Sequence, residues 1–191
     1  MTSCELYESS AHRVVVMQLR SPLIRGRKAS FRNKLVAFIK EKQFEQIVML
    51  CSTHAHERID PQLSGDQFRY IATASFSARS ALSAALSSLG WTRLERRENR
   101  EETGKDVNPY LPGGGIAKQL FLACERENIA MASLMVFCSE GDNVPEAFSL
   151  ADHLNDLMKI HDTKSRSSWR IPGSWSALFG NRYAENELVF G

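Results

Sequence analysis

Long apolar runs are what this sequence most clearly lacks. No stretch approaches the roughly 20 residues that a helix needs to cross a bilayer. Met1-Thr2-Ser3-Cys4-Glu5 offers no basic region followed by an apolar one, so no signal peptide is expected at that point. Excess charge is missing too: 24 Lys and Arg against 22 Asp and Glu leave a formal net charge of +2. A balance this close gives no general pull toward nucleic acid or a membrane surface, and neither is expected as a partner. Cysteine is scarce and unpaired in pattern. Cys4, Cys51, Cys124 and Cys138 show no CxxC spacing, and three of them fall in apolar stretches where a thiol behaves as a small hydrophobe. A reduced, intracellular protein without structural disulfides is expected. No internal repeat is visible.

What is present is alternating helix and strand signal. Arg13–Leu19 is mostly β-branched and apolar and closes at Arg20-Ser21-Pro22, which predicts a strand. Phe31–Lys42 sets Leu35, Phe38 and Ile39 against Arg32, Lys34, Lys40 and Lys42, an amphipathic helix. Gln46–Cys51 predicts a buried strand ending in the polar turn Ser52-Thr53-His54-Ala55-His56, and Phe68–Thr73 a weaker one. Ser77–Leu89 predicts one helix stopped by Gly90, and Trp91–Leu94 a short strand. Glu95–Asn108 is almost wholly polar and reads as a solvated loop.

The chain is organised around residues 111–157. Gly113-Gly114-Gly115 cannot be the interior of a helix or strand, because glycine loses the most backbone entropy on ordering. The three mark a structural turn, or a place where something packs directly on backbone. Ile116, Leu120 and Cys124 then recur at helical spacing, and Ile129–Cys138 is a continuous apolar run suited to a strand buried on both faces. Asn143-Val144-Pro145-Glu146 reads as a helix start, with Asn143 as cap and Glu146 closing a capping box. The fold expected is α/β: a three-layer, mostly parallel sheet with helices on both faces. The segments expected are an α/β domain over 1–164, a Trp-rich packing segment over 165–180 and a flexible tail over 181–191.

Several residue groups bear chemistry. The Gly-rich turn before a helix, with Lys118 close by, is where an anion could sit, yet it matches neither GxxxxGK(S/T) nor GxGxxG, and a sharp turn or close packing explains it as well. Cys51, His54 and His56 cluster at a strand end, where open α/β sheets bind ligands. A nucleophilic cysteine needs a base in reach, and no elbow motif supplies one; a metal site there lacks an evident fourth ligand. Glu140 and Asp142 flank Gly141 as a conceivable acid and base, but serve equally to satisfy the free N–H groups of the following helix. Arg25, Arg27, Lys28, Arg32 and Lys34 form a solvated basic face or a dock for an acidic partner. The sequence closes on Leu188-Val189-Phe190-Gly191, an apolar cluster after a polar stretch.

Leu-Pro-Gly-Gly-Gly-Ile-Ala-Lys (111–118) and Val-Phe-Cys-Ser-Glu-Gly-Asp-Asn-Val-Pro-Glu-Ala (136–147) resemble the PAC2 family of proteasome assembly chaperones. The likeness extends through Val15–Pro22, Ser52–Arg58, Trp169–Trp175 and Leu178–Gly180, which is most of the chain. It implies a non-enzymatic chaperone without cofactor or metal, in cytoplasm and nucleus. Its partners would be proteasome assembly chaperone 1, as a heterodimer, and proteasome α subunits during formation of the α ring. It also implies that Val189-Phe190-Gly191 is a proteasome-binding tail of the hydrophobic–tyrosine–any type, with phenylalanine in the tyrosine place. Members of the family normally begin with a further glycine-containing strand and helix, so the resemblance implies a sheet missing its usual first strand and helix. Such a sheet would have an open edge and uncovered apolar surface. The rival expectation is an enzyme of hydrolase or phosphorylase type built on the same scaffold, because fold alone does not decide function.

Overall fold

The computed structural model describes residues 3–96 and 108–161, together with 169, 172 and 173. In chain order the elements are β1 (Cys4–Ser9), β2 (Val14–Leu19), α1 (Lys28–Glu41), β3 (Ile47–His54), β4 (Phe68–Ala72), α2 (Ala74–Arg79), α3 (Leu82–Ser88), α4 (Ala117–Arg126), β5 (Met131–Cys138) and α5 (Val144–Met158). Two short 3-10 turns, Ala55–Glu57 and Asp60–Gln62, lie between β3 and β4.

The strand β5 is the centre of the three-stranded sheet β3-β5-β4. Its run from Met131 to Phe137 is apolar apart from Ser133 and buried throughout, as a strand covered on both faces requires. Alternate side chains feed different cores. Ala132, Leu134 and Val136 pack with Phe68, Phe76, Leu86 and Leu157, which brings α2, α3 and α5 onto one face. Met135 and Phe137 pack with Ile71, Leu111, Ala117 and Phe121, which brings α4 onto the other. Beside this second core Met131 meets Ile39, Leu120 and Cys124, so α1 lies against α4. Each large side chain buried in this way contributes on the order of 1.5–3 kcal/mol.

The sheet is mixed, which corrects the expectation of a mostly parallel one. β3 and β5 are parallel, from Ile47 opposite Met131 to His54 opposite Cys138. β4 runs antiparallel to β5, with Phe68 opposite Val136, and β1–β2 is a separate antiparallel hairpin. A parallel return needs a crossover of a dozen or more residues, usually with a helix. The link from β3 to β4 holds only two 3-10 turns, so the chain crosses the carboxyl end of β5 and runs back down.

Three local expectations also change. Strand β1, Cys-Glu-Leu-Tyr-Glu-Ser, was not foreseen; most of its side chains are exposed, so burial imposes no clear alternation on it. The helix expected over 77–89 is two helices. Thr73 caps α2 by accepting from the Phe76 N–H at 3.2 Å. Ser80 then leaves helical backbone (φ −72°, ψ 133°), and its hydroxyl accepts from the Leu82 N–H at 3.1 Å. The strand expected at 91–94 is reduced to a bridge between Tyr70 and Arg93. Of the Trp-rich segment, Trp169 is described: its indole N–H donates to Asp152 Oδ1 at 2.7 Å on α5. The segment boundaries expected near 164 and 180 lie outside the described residues.

Candidate functional site

The carboxyl end of the sheet is where the Gly-rich turn meets β3. The Pro112 carbonyl accepts from the His54 N–H at 3.0 Å and from the Thr53 hydroxyl at 2.9 Å, which ties the turn to the end of β3. The Gly114 N–H donates to Leu111 O at 3.2 Å, and Ala117 N–H to Gly114 O at 2.9 Å, so the turn winds directly into α4. Gly113 has φ +75° and Gly115 φ +61°, the left-handed region that favours glycine. At Gly113 a Cβ would stand 2.5 Å from atoms of the His54 imidazole. The space left by the absent side chain is therefore filled by a ring, and the turn is closely packed there. Gly113→Ala should lose about 1–3 kcal/mol, from left-handed strain and from displacing His54. In a urea-unfolding double-mutant cycle, His54→Ala should recover the steric part and leave the backbone part.

The strand-end residues do not assemble a nucleophile and base. Cys51 and His54 stand an odd number of positions apart on β3, so their side chains leave opposite faces. Burial pushes the Cys51 thiol up to about 12, far from the thiolate a nucleophile needs. The His54 ring stacks on His56, centroids 5.0 Å apart and 22° between planes. No group of three His, Cys, Asp or Glu with metal-site geometry occurs among the described residues.

The acidic turn after β5 starts a helix, with a change of cast. Asp142 Oδ1 accepts from the Val144 N–H at 3.0 Å. Asn143 makes no side-chain cap bond and instead donates from Nδ2 to Gly141 O at 3.2 Å. Aspartate and asparagine both cap helices well, and here the residue one step earlier takes the role. Glu146 does not close a capping box. Its charge lies near Cys138, whose thiol is raised chiefly by burial and also by that carboxylate.

A buried ion pair seals the same end of the sheet, and sequence reasoning missed it. Arg69 on β4 donates from Nε to Glu95 Oε1 at 2.9 Å and from Nη1 to the carbonyls of Asp66 (2.6 Å) and Phe68 (2.8 Å). Gln62 donates to the other Glu95 oxygen at 2.6 Å. The Arg69 and Arg58 guanidinium groups lie 5.8 and 6.0 Å from the Phe137 ring centroid, and Arg58 also donates to Gln67 and Ala55. An arginine amid a strand reads as a solvent-facing residue, and its partner is 26 positions away. The one local signal is Asp66, whose carbonyl lies three residues before it. Between these groups and Tyr110 the crevice is about 10 Å³, room for about one water. A larger groove of about 470 Å³ lies at the opposite end of the sheet, around Phe44, Gln46, Arg79 and Ile129. Several of its polar groups are engaged: Lys40 with Glu127, Arg79 with Asn128 O, and Ser80 with Gln46. The expected tail residues Val189, Phe190 and Gly191 lie outside the described residues.

The PAC2 family model matches residues 1–164. Proteasome assembly chaperone 2 of Nematostella vectensis is 42% identical over 161 residues, covering 83% of this chain and 65% of the relative. The Homo sapiens protein of that name is 35% identical over 187 residues, covering 94% of this chain and 70% of the relative. This chain thus spans about two thirds of the length of the curated relatives it matches. Among solved structures, Pyrococcus furiosus PbaA, an archaeal homologue of proteasome-assembly chaperone, superposes with a TM-score of 0.57 at 12% identity, covering 86% of this chain and 62% of that one. A Thermoplasma acidophilum protein of unknown function gives 0.58 at 14%, covering 85% and 59%. At such identities these two likenesses speak to the mixed α/β fold alone. The family match, running from the hairpin through α5, and relatives above one third identity carry the assignment: this chain belongs to the PAC2 family.

Proposed function

We propose that this chain is a non-enzymatic chaperone of 20S proteasome assembly, working in cytoplasm and nucleus as a heterodimer with proteasome assembly chaperone 1. The observation that carries the reading is the 35–42% identity to relatives named proteasome assembly chaperone 2. The site geometry agrees with it, since the sheet end that would hold a substrate is filled by His54, Arg69, Glu95 and Tyr110. The mechanism is thermodynamic. A heterodimer that binds one face of correctly neighbouring α subunits raises the population of that arrangement by mass action.

The tail supplies the anchor in this proposal. Val189 and Phe190 enter a groove between α subunits, and the Gly191 carboxylate pairs with a lysine at its base. Support comes from the sequence pattern, three apolar residues (Leu188, Val189 and Phe190) after the largely polar stretch 181–187. Copurification with tagged assembly chaperone 1 and α subunits tests both parts. Deleting residues 189–191 should spare the heterodimer and weaken α-subunit capture by about 2 kcal/mol, roughly thirtyfold. Adding one residue after Gly191 should weaken it comparably, while Phe190→Tyr should hold or improve it. Unchanged capture in all three would place the α-subunit contact on the globular body. Failure to copurify with assembly chaperone 1 would remove the heterodimer itself.

A further inference from the structure

Among the described residues, the hairpin β1–β2 leaves much of its apolar surface uncovered. Its register puts Leu6 opposite Met17 and Cys4 opposite Leu19 on one face, with Val15 beside Glu8. Leu6 is 51% exposed, Val15 and Leu19 are each 39% exposed, and Ile24 just beyond the hairpin is 76% exposed. The two strands pack chiefly on each other and hardly on the body. One ion pair, Arg13 with Glu45 at 3.6 Å, reaches across, and both of its side chains are largely in solvent. A two-stranded hairpin is marginal in water by itself and needs a third strand or another surface to cover its apolar face.

Charge indicates what that cover is made of. From Ser9 to Lys40 the chain has eight lysines and arginines and no aspartate or glutamate. Arg13, Arg20 and Lys40 find Glu45, Glu5 and Glu127. Arg25, Arg27, Lys28 and Lys34 are exposed and meet no carboxylate among the described residues. Arg25 and Arg27 lie between the hairpin and α1, Lys28 opens α1 and Lys34 lies in its second turn; the helix dipole is positive at that start and the first turn holds no acidic residue. Solvent and salt screen much of the repulsion among these exposed cations, and carboxylates from a partner would relieve what remains.

We infer that the hairpin face and the basic start of α1 together form a docking surface for an acidic, aliphatic segment of a partner protein, carboxylates set against Arg25, Arg27 and Lys28 and aliphatic side chains on Leu6, Val15 and Leu19. A second copy fits poorly, because a two-fold contact would bring each basic patch toward its own equivalent. An anionic membrane fits poorly as well. It cannot pair the open hairpin edges, whereas an extended peptide can. The inference is independent of the assembly reading.

The test uses the full chain and fluorescent peptides of roughly twelve residues in fluorescence anisotropy. One alternates Val and Leu with Glu, one carries Lys for Glu, and one carries Ser for the aliphatics. The aliphatic Glu peptide should bind, weaken as NaCl rises from about 50 to 300 mM, and outbind both others by about tenfold or more. Arg25→Glu/Arg27→Glu/Lys28→Glu, in exposed positions without packing roles, should cut that binding about tenfold. Leu6→Ser/Val15→Ser should cut it several-fold, with an unchanged urea midpoint showing that the body still folds. Equal binding of the Ser–Glu peptide would overturn the inference, as would undiminished binding by the charge-reversed variant. Stronger binding to vesicles rich in phosphatidylserine would overturn it too, and so would a homodimer in sedimentation velocity that Leu6→Ser/Val15→Ser dissolves.

Discussion

Phe121→Ala is expected to cost the fold about 3–5 kcal/mol, the range for truncating a fully buried aromatic. Phe121 has no exposed surface and sits where α4 meets Ile71 of β4, Leu111 of the Gly-rich turn, and Met135 and Phe137 of β5. It is thus the point at which the turn, one helix and two strands are held together. Domains of this kind retain only about 5–15 kcal/mol in total, so the variant should be largely or marginally unfolded. Urea unfolding would report it as a fall in midpoint without a change in slope. Leu63→Ala, at a site 58% exposed, should stay within about 0.5 kcal/mol and serves as the control. A loss below about 1 kcal/mol at Phe121 would mean that the core can collapse around the gap, against the interdigitation described here.

Arg69→Ala should be nearly as damaging. The Arg69 side chain is 4% exposed and the Glu95 side chain 21%. Removing the cation strands a largely buried carboxylate and the carbonyls of Asp66 and Phe68. The expected loss is about 3 kcal/mol, the lower end for a broken buried pair because Glu95 keeps some solvent. Replacing both partners, Arg69→Met with Glu95→Leu, should cost much less, since no charge is left unpaired. Glu95 also sets a pH dependence. Burial by itself would raise its pKa, but the hydrogen bonds from Gln62, its own backbone and Arg69, with the Arg69 charge, bring it below the ordinary value. A carboxyl depressed on folding contributes stability that is fully present above its unfolded pKa, near 4.3 for glutamate, and is lost as pH falls through the folded pKa. The urea midpoint of the parent chain should therefore fall as pH drops below about 4.3, and less steeply in the double variant. Equal slopes would assign that acid sensitivity to other carboxylates.

Much of the fold was legible because burial writes it into composition. β5 announces itself as an unbroken apolar run, and α4 and α5 carry stripes at helical spacing. Strand direction was not legible: Phe68–Ala72 looks alike whether it runs up or down, and what decides is the 3-10 route over the sheet end. The break at Ser80 was hidden because Ser and Ala on both sides are compatible with one continuous helix. At the site, the Gly run was readable as a turn, but not its contact with His54, which pairs residues 59 positions apart in sequence. Nor was the Arg69–Glu95 pair, because a lone arginine in a strand gives no sign of a distant carboxylate. The basic residues from Arg25 to Lys34 were visible as charge; that an uncovered hairpin precedes them in the chain became visible only with β1 in place.

We propose above that this chain acts in formation of the proteasome α ring. The most direct measurement is the yield of α-ring intermediates on native gels when recombinant α subunits are mixed with assembly chaperone 1, with and without this chain. Ring intermediates should accumulate several-fold faster when the chain is present, and it should migrate with them. Identical yields with and without it, and a chain that migrates apart from every α-containing band, would contradict the account.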